Sequence, residues 1–121
     1  MSQSPVLALE EIVTGIPGTT YGEFDTSRLG ALRGSLRAAH MILAPGGTTP
    51  LDAHEVRECW YVARGSGVLE LDGRPQRLQP GQLVFFDSGQ THRLHNDGAA
   101  ELVVLSLWWP GAAGPPVLTP C

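Results

Sequence analysis

Three side chains that could bind a metal or move protons lie close together in LDAHEVRECWYVARGSG, which runs from Leu51 to Gly67. If this segment is extended, Asp52 and His54 share a face, because strands alternate the direction of their side chains. Glu58 begins the next apolar run and can return to the same face. His92, which follows a DSGQ turn, can complete the set if the strands close on one another.

Two imidazoles and a carboxylate with open positions form a ligand set for Fe(II) and related divalent metals. In a small protein, a loose group of His, Asp and Glu more often lies on the surface without a chemical role. Which interpretation applies therefore depends on the strands and turns that position these four residues.

Regular turns divide the second half of the chain into short apolar runs. The turns are PGG, GSG, DGRP, PGQ, DSGQ and NDG, and the runs are CWYVA, GVLELD, QLVFFD, THRLH and ELVVLSLWW. Val68 to Leu71 and Gln76 to Leu78 flank an Asp-Gly pair, which predicts a hairpin. Many short strands at this spacing predict an all-β sandwich or barrel.

Upstream, Leu7 to Val13 is also typical of a strand. Arg28 to Ala39 is ambiguous, because its leucines have helical spacing while Gly30 and Gly34 weaken a helix. For the segment from Leu36 to Leu43 we favour a strand.

Composition and charge argue against two classes of protein, those that bind nucleic acids and those that span a membrane. The 121 residues suffice for one domain, and the net charge of −4 gives no electrostatic support to nucleic-acid binding. No apolar run approaches the roughly 20 residues that span a bilayer. The N-terminus, MSQSPVLALEEIV, does not resemble a signal peptide, so we expect a cytoplasmic protein.

Two spaced motifs resemble those of the cupin superfamily. The first is Gly46, five residues, Asp52, one residue, His54, three residues, Glu58, six residues, Gly65; the second is Gly81, five residues, Asp87, one residue, Gly89, two residues, His92, three residues, Asn96. The family usually has His at the position of Asp52 and Pro at that of Asp87. The resemblance implies a single cupin domain over 1–121, an all-β double-stranded β-helix with a jelly-roll-like barrel. Its core would span 36–109, with an N-terminal arm and strand (1–35) and a Pro/Gly-rich tail (110–121).

The resemblance also implies one divalent metal inside the barrel, with Fe favoured over Mn, Ni or Zn. By position His54, Glu58 and His92 look like three of the four usual ligands. Asp52 admits three interpretations: a fourth ligand, an outer acceptor or general base, or a hydrogen-bond partner of His54 in a metal-free site.

Strand alternation indicates which side chains form a pocket beside these residues. With Glu58 inward, Trp60 points inward too, and Phe85 and Phe86 supply one aromatic to each face. We assign Trp60, Phe85 and His40 to substrate binding, although His40 could equally lie on the outer face. The alternative is that these aromatics only fill the barrel.

The leading functional hypothesis is a metal-dependent cupin enzyme acting on a small organic metabolite, in specialised metabolism. The reaction would be O₂-dependent oxidation, or acid–base isomerisation, cyclisation or dehydration with Asp52 or Glu58 as the catalytic residue. The alternative is a non-catalytic cupin that binds a small ligand.

The last apolar run, ELVVLSLWW, predicts an interface, because alternation must send half of its residues outward. We expect the segment from Val6 to Val13 to cover part of that face. A homodimer would cover the rest, with Trp108 or Trp109 at its interface.

Overall fold

The computed structural model describes residues 5–27, 29 and 35–110, and β-strands account for most of them. In chain order the strands are β1 (Leu9–Ile12), β2 (Thr19–Phe24), β3 (Arg37–Leu43), β4 (Asp52–Ala53), β5 (Val56–Arg64), β6 (Gly67–Leu71), β7 (Arg74–Leu78), β8 (Leu83–Phe86), β9 (Thr91–His95) and β10 (Leu102–Pro110). No helix in this part of the chain is long and apolar enough to cross a membrane. The predicted tail lies outside the described residues from position 111 onward.

The strands form two antiparallel sheets with a shared core. The larger sheet has the order β1-β2-β3-β10-β5-β8, and the smaller has the order β4-β9-β6-β7. Buried residues from both sheets fill the space between them: Met41, Leu43, Trp60, Val62, Leu69, Leu78, Phe86, Leu94, Leu102 and Val104. This arrangement confirms the predicted all-β fold and its double-stranded β-helix.

The predicted hairpin is formed by β6 and β7, which Asp72 and Gly73 connect. Both residues have positive φ, 50° and 78°, as the two central residues of a type I′ turn require. The strand predicted from Leu36 to Leu43 is also confirmed, since β3 spans Arg37–Leu43. Residues 28 and 30–34 of the ambiguous segment lie outside the described residues.

The pairing of β10 with β5 determines which side chains point into the barrel at the end that contains Glu58. Ser106 lies opposite Trp60, and Trp108 lies opposite Glu58. A β-bulge at Val103 and Val104 shifts the register at the other end of β10. The regular part of the ladder therefore fixes the side chains around Glu58.

Asn96, the last residue of the second motif, is fully buried and ties β9 to its neighbours. Its Nδ2 donates to Leu43 O at 2.9 Å and to Ala100 O at 2.8 Å, and its Oδ1 accepts a bond from Gly98 N at 3.0 Å. A buried amide must have such partners, because leaving it unpaired is expensive. Asn96 thus supports the fold rather than the site.

The outer face of the larger sheet is apolar, and part of it is exposed. Tyr61, Leu83 and Phe85 point outward from β5 and β8 with exposures of 42%, 51% and 49%. The expectation that the segment from Val6 to Val13 covers this face is wrong. Its strand β1 pairs with β2 at the edge of the sheet, where its backbone extends the ladder, and β2 and β3 separate it from β10.

We predict that this outer face associates with a second copy of the chain. Light scattering at micromolar concentration should give twice the 12.9 kDa mass of one chain, and Phe85→Glu should give a single chain, because it places a charge in the apolar patch. The matched control is Leu9→Glu, at an exposed position on the edge strand. A mass of one chain that stays unchanged on concentration would contradict the dimer.

Candidate metal centre

Segments from both sheets bring His54, Glu58 and His92 together. His54 lies in the short connection between β4 and β5, Glu58 lies in β5, and His92 lies in β9. The turn before β9 is held against that connection, because Gly89 N donates to His54 O at 2.7 Å. One candidate ligand atom from each of the three residues lies within 4.8 Å of the others. The structure thus brings together the three residues that the motifs indicated, and the cluster could hold a metal ion.

The cluster is buried on one side and open on the other. The side chains of His92 and Glu58 are 8% and 12% exposed, whereas that of His54 is 44% exposed. His92 Nε2 lies 3.9 Å from Glu58 Oε1, and the ring centroids of His54 and His92 lie 5.3 Å apart. A small molecule can therefore approach from the side of His54.

Glu58 is held by two hydrogen bonds to the same oxygen. Trp60 Nε1 donates to Glu58 Oε2 at 2.7 Å, and Ser106 Oγ donates to it at 2.5 Å. Burying a carboxylate is costly unless it is paired and hydrogen-bonded, so these donors allow Glu58 to lie in the interior.

Aromatic rings fix the orientation of His92. Phe86 stacks on its ring at 5.0 Å with an interplanar angle of 6°, and Trp60 meets it edge-on at 5.5 Å and 88°. His92 Nδ1 is buried and has no hydrogen-bond partner among the described residues. Two imidazoles and a carboxylate whose candidate ligand atoms lie within 4.8 Å of one another fit a site that holds a divalent metal.

Asp52 pairs with His54 and lies outside the compact group of candidate ligand atoms. Its Oδ2 is 3.4 Å from His54 Nε2, its Oδ1 accepts a bond from Ala53 N at 2.9 Å, and its side chain is 55% exposed. The group of ligand atoms within 4.8 Å includes His54, Glu58 and His92 without Asp52. This geometry favours the interpretation of Asp52 as an outer partner of His54 over that of a fourth ligand.

Two adjoining cavities open onto the cluster and share Tyr21, His54 and Glu58. One, of about 460 Å³, continues past Trp108, and the other, of about 290 Å³, continues past Trp60. The lining of the second cavity further includes Thr14, Ile16, Thr19, Met41, Thr49, Pro50, Asp52, His92 and Ser106. Among the described residues that line either cavity there is no lysine or arginine.

Tyr21, from β2, is a residue of the site that the sequence interpretation missed. It lines both cavities, and burial, followed by the charges of Glu23 and Glu58, raises its pKa to about 12. The phenol therefore remains protonated, and able to donate a hydrogen bond, throughout the neutral range. Alternation in TTYGEF was the signal that could have indicated an inward Tyr21.

The substrate-binding assignment of Phe85 is wrong, and for His40 the structure favours the outer-face alternative. Phe85 points outward because it pairs with Cys59 in the β5–β8 ladder, so Phe86 is the aromatic beside the cluster. His40 lines neither cavity, because the core residues Ala39 and Met41 flank it and alternation turns it to the outer face. Trp60 is inward as predicted, and its role in binding a substrate stays a prediction.

Comparison with known proteins agrees with this geometry. A family model described as a cupin domain matches residues 39–108. An oxalate-binding protein of Thermotoga maritima is 34% identical over 70 residues, which are 57% of this chain and 58% of that protein. The tetracenomycin polyketide synthase protein TcmJ of Streptomyces glaucescens is 33% identical over 82 residues, 67% of this chain and 54% of that protein. The matched regions thus span little more than half the length of these two relatives.

A solved structure extends the likeness over most of the chain. The polyketide cyclase RemF from Streptomyces resistomycificus superimposes with a TM-score of 0.71 at 25% identity. The match covers 90% of this chain and 80% of that one.

We predict that the cluster binds about one divalent ion per chain, since it offers three ligands in a partly buried site. Calorimetric titration of the metal-free protein with Mn(II), Fe(II), Co(II), Ni(II) and Zn(II) should show this, and His92→Ala should abolish it. His95→Ala is the matched control, because His95 bonds Thr48 on the other face of β9. Wild-type protein that binds none of the five metals would refute the prediction.

We further predict that Tyr21 makes stability fall at alkaline pH. Its pKa is about 12 in the folded protein against an ordinary value of 10.0, so the unfolded chain loses the proton first. The stabilisation is complete below pH 10.0 and is lost as pH rises through about 12. Urea unfolding of metal-free Tyr21→Phe should show a smaller loss over this range than Tyr61→Phe, which removes the other tyrosine. Equal losses in both variants would contradict the prediction.

Proposed function

The chain belongs to the cupin domain family, and on this premise we propose that it is a metal-dependent enzyme acting on a small, neutral organic molecule. The proposed reaction is acid–base cyclisation, isomerisation or dehydration of a carbonyl compound of the polyketide type, in specialised metabolism. The likeness to a polyketide synthase protein and to a polyketide cyclase supports this substrate class.

The observation that carries the proposal is the lining of the two cavities at the cluster. Indole, phenol, hydroxyl and aliphatic groups surround His54 and Glu58, as in sites for small organic molecules. The charged side chains in this lining are the carboxylates Asp52, Glu55 and Glu58. An anion such as oxalate would meet these carboxylates without a lysine or arginine among the described lining residues, so the charge favours a neutral substrate.

His54, Glu58 and His92 would hold the metal, with Fe(II) favoured over Mn, Ni and Zn. When bound, the metal supplies polarisation of a substrate carbonyl. Imidazole and carboxylate ligands suit several divalent ions, Fe(II) among them.

The chain's own residues would handle protons and orientation. Asp52 lines the second cavity and is exposed, so its Oδ2 can accept a proton from the carbon beside the carbonyl and exchange it with solvent. The Tyr21 hydroxyl, protonated up to about pH 12, donates a hydrogen bond to a substrate oxygen. Trp60 and Phe86 form an apolar wall behind the cluster and exclude water from that side. Glu58 then acts as a ligand rather than as the base, because two donors occupy one of its oxygens.

The alternative function is a non-catalytic binding protein. The 34% identity to an oxalate-binding protein favours it, since the shared region could preserve a binding site without turnover. In that case the metal would hold the anion and Asp52 would have no chemical role.

We predict that metal-loaded protein turns over a neutral aromatic polyketone without consuming O₂. Asp52→Asn should lower kcat by about 10²–10⁴-fold and leave metal binding intact. Asp87→Asn is the matched control, since Asp87 is the other departure from the usual motifs, and it pairs with Arg57 away from both cavities. Product analysis with and without O₂ measures the outcome. O₂ uptake would indicate oxidation, and tight oxalate binding with no turnover of any substrate would indicate the binding protein.

A further inference from the structure

The two oxygens of the Glu58 carboxylate are not equivalent. Oε2 accepts hydrogen bonds from Trp60 Nε1 at 2.7 Å and from Ser106 Oγ at 2.5 Å. Oε1 faces His92 Nε2 at 3.9 Å. Because a carboxylate oxygen has two lone-pair sites, the two donors saturate Oε2 and leave Oε1 available on the side of the imidazoles.

The difference between the two oxygens follows from the register of β5 and β10. Trp60 lies two residues after Glu58 in β5, so both side chains point inward, and Ser106 lies opposite Trp60 in β10. Trp60 and Ser106 are only 4% and 5% exposed. Ser106 is also the one polar residue between Leu102 and Trp109. A buried hydroxyl in an apolar strand is unfavourable unless it is hydrogen-bonded, and Glu58 is its partner.

Trp60 contacts the second buried ligand candidate as well. Its indole meets the His92 ring edge-on at 5.5 Å and the Phe86 ring at 4.7 Å, both at 88°. One side chain therefore restricts Glu58 through its N–H and His92 through its ring.

We propose that Trp60 and Ser106 are positioning residues that hold Glu58 Oε2 and thereby commit Glu58 to bind the metal through Oε1 alone. The inference rests on the proposed metal centre. It assigns the chain three ligand atoms, one each from His54, Glu58 and His92, and leaves the remaining positions of the ion to substrate. The competing explanation is that both donors merely stabilise a buried carboxylate in the folded chain.

Metal affinity tests the proposal first. Calorimetry with Zn(II) and Mn(II) should show about 10–100-fold weaker binding for Ser106→Ala and for Trp60→Phe, the range found when the outer partners of metal ligands are removed. Trp60→Phe keeps an aromatic ring, and Ser106→Thr, which keeps the hydroxyl, should restore binding. Trp109→Phe is the matched control, because Trp109 pairs with Arg57 rather than with Glu58. Melting curves of the metal-free variants verify that each one folds.

Two spectroscopic readouts separate positioning from simple stabilisation. The chain has three tryptophans, so the indole N–H signal of Trp60 is identified by its loss in Trp60→Phe. In metal-free protein that signal should shift in Glu58→Gln, and in wild type it should move on addition of Zn(II) while that of Trp109 stays. In the Co(II)-loaded double variant Ser106→Ala/Trp60→Phe, visible absorption should weaken relative to wild type, because the freed Oε2 raises the coordination number.

The possible results distinguish this inference from the proposed function. If wild type binds a metal and turns over substrate while both single variants bind the metal as tightly as wild type, the positioning role is refuted and the function stands. If positioning is confirmed but no substrate is turned over, the function fails and the inference stands. If wild type binds no metal, both are overturned.

Discussion

The pairing of β5 with β10 decides which side chains enter the interior at the open end of the barrel. It places Ser106 opposite Trp60 and Trp108 opposite Glu58. A slip of one residue would turn every side chain of β10 to the other face. Leucines would then replace Ser106 near the carboxylate, and Glu58 would lose a donor while remaining buried. Core packing and ligand geometry therefore depend on one register.

The site built on this register has a rigid half and an accessible half. Glu58 and His92 are held by hydrogen bonds and stacked rings in the interior, whereas His54 and Asp52 are about half exposed. A fixed half suits the placement of ligand atoms, because rigid elements position them reproducibly. An accessible half suits the entry of a substrate and the exchange of protons with solvent.

Much of this arrangement could be predicted from the sequence. Turn residues indicate where the strands begin and end, and the resemblance of two motifs to those of cupins implied that His54, Glu58 and His92 lie together. The aromatic assignment failed because LVFF has two adjacent phenylalanines, and only pairing with β5 shows which one is inward. Ser106 was missed as a site residue because its position depends on pairing between β5 and β10, which are distant in the chain. Alternation in TTYGEF could have indicated Tyr21, but not that β2 lies beside the cluster. The role of Asp52 could not be predicted from the sequence, because its distance to His54 depends on the backbone conformation after β4.

The cavity wall has two origins in the chain. His54, Glu58 and His92 lie within the family-matched residues 39–108, while Thr14, Ile16, Thr19 and Tyr21 reach the same space from the N-terminal arm. Mutations in the arm can therefore reshape the space offered to a substrate and leave the three ligand candidates in place. Such a division would let the cavity wall change during divergence while the candidate metal centre is retained. In an engineered protein, it makes the arm the segment to randomise or exchange between relatives.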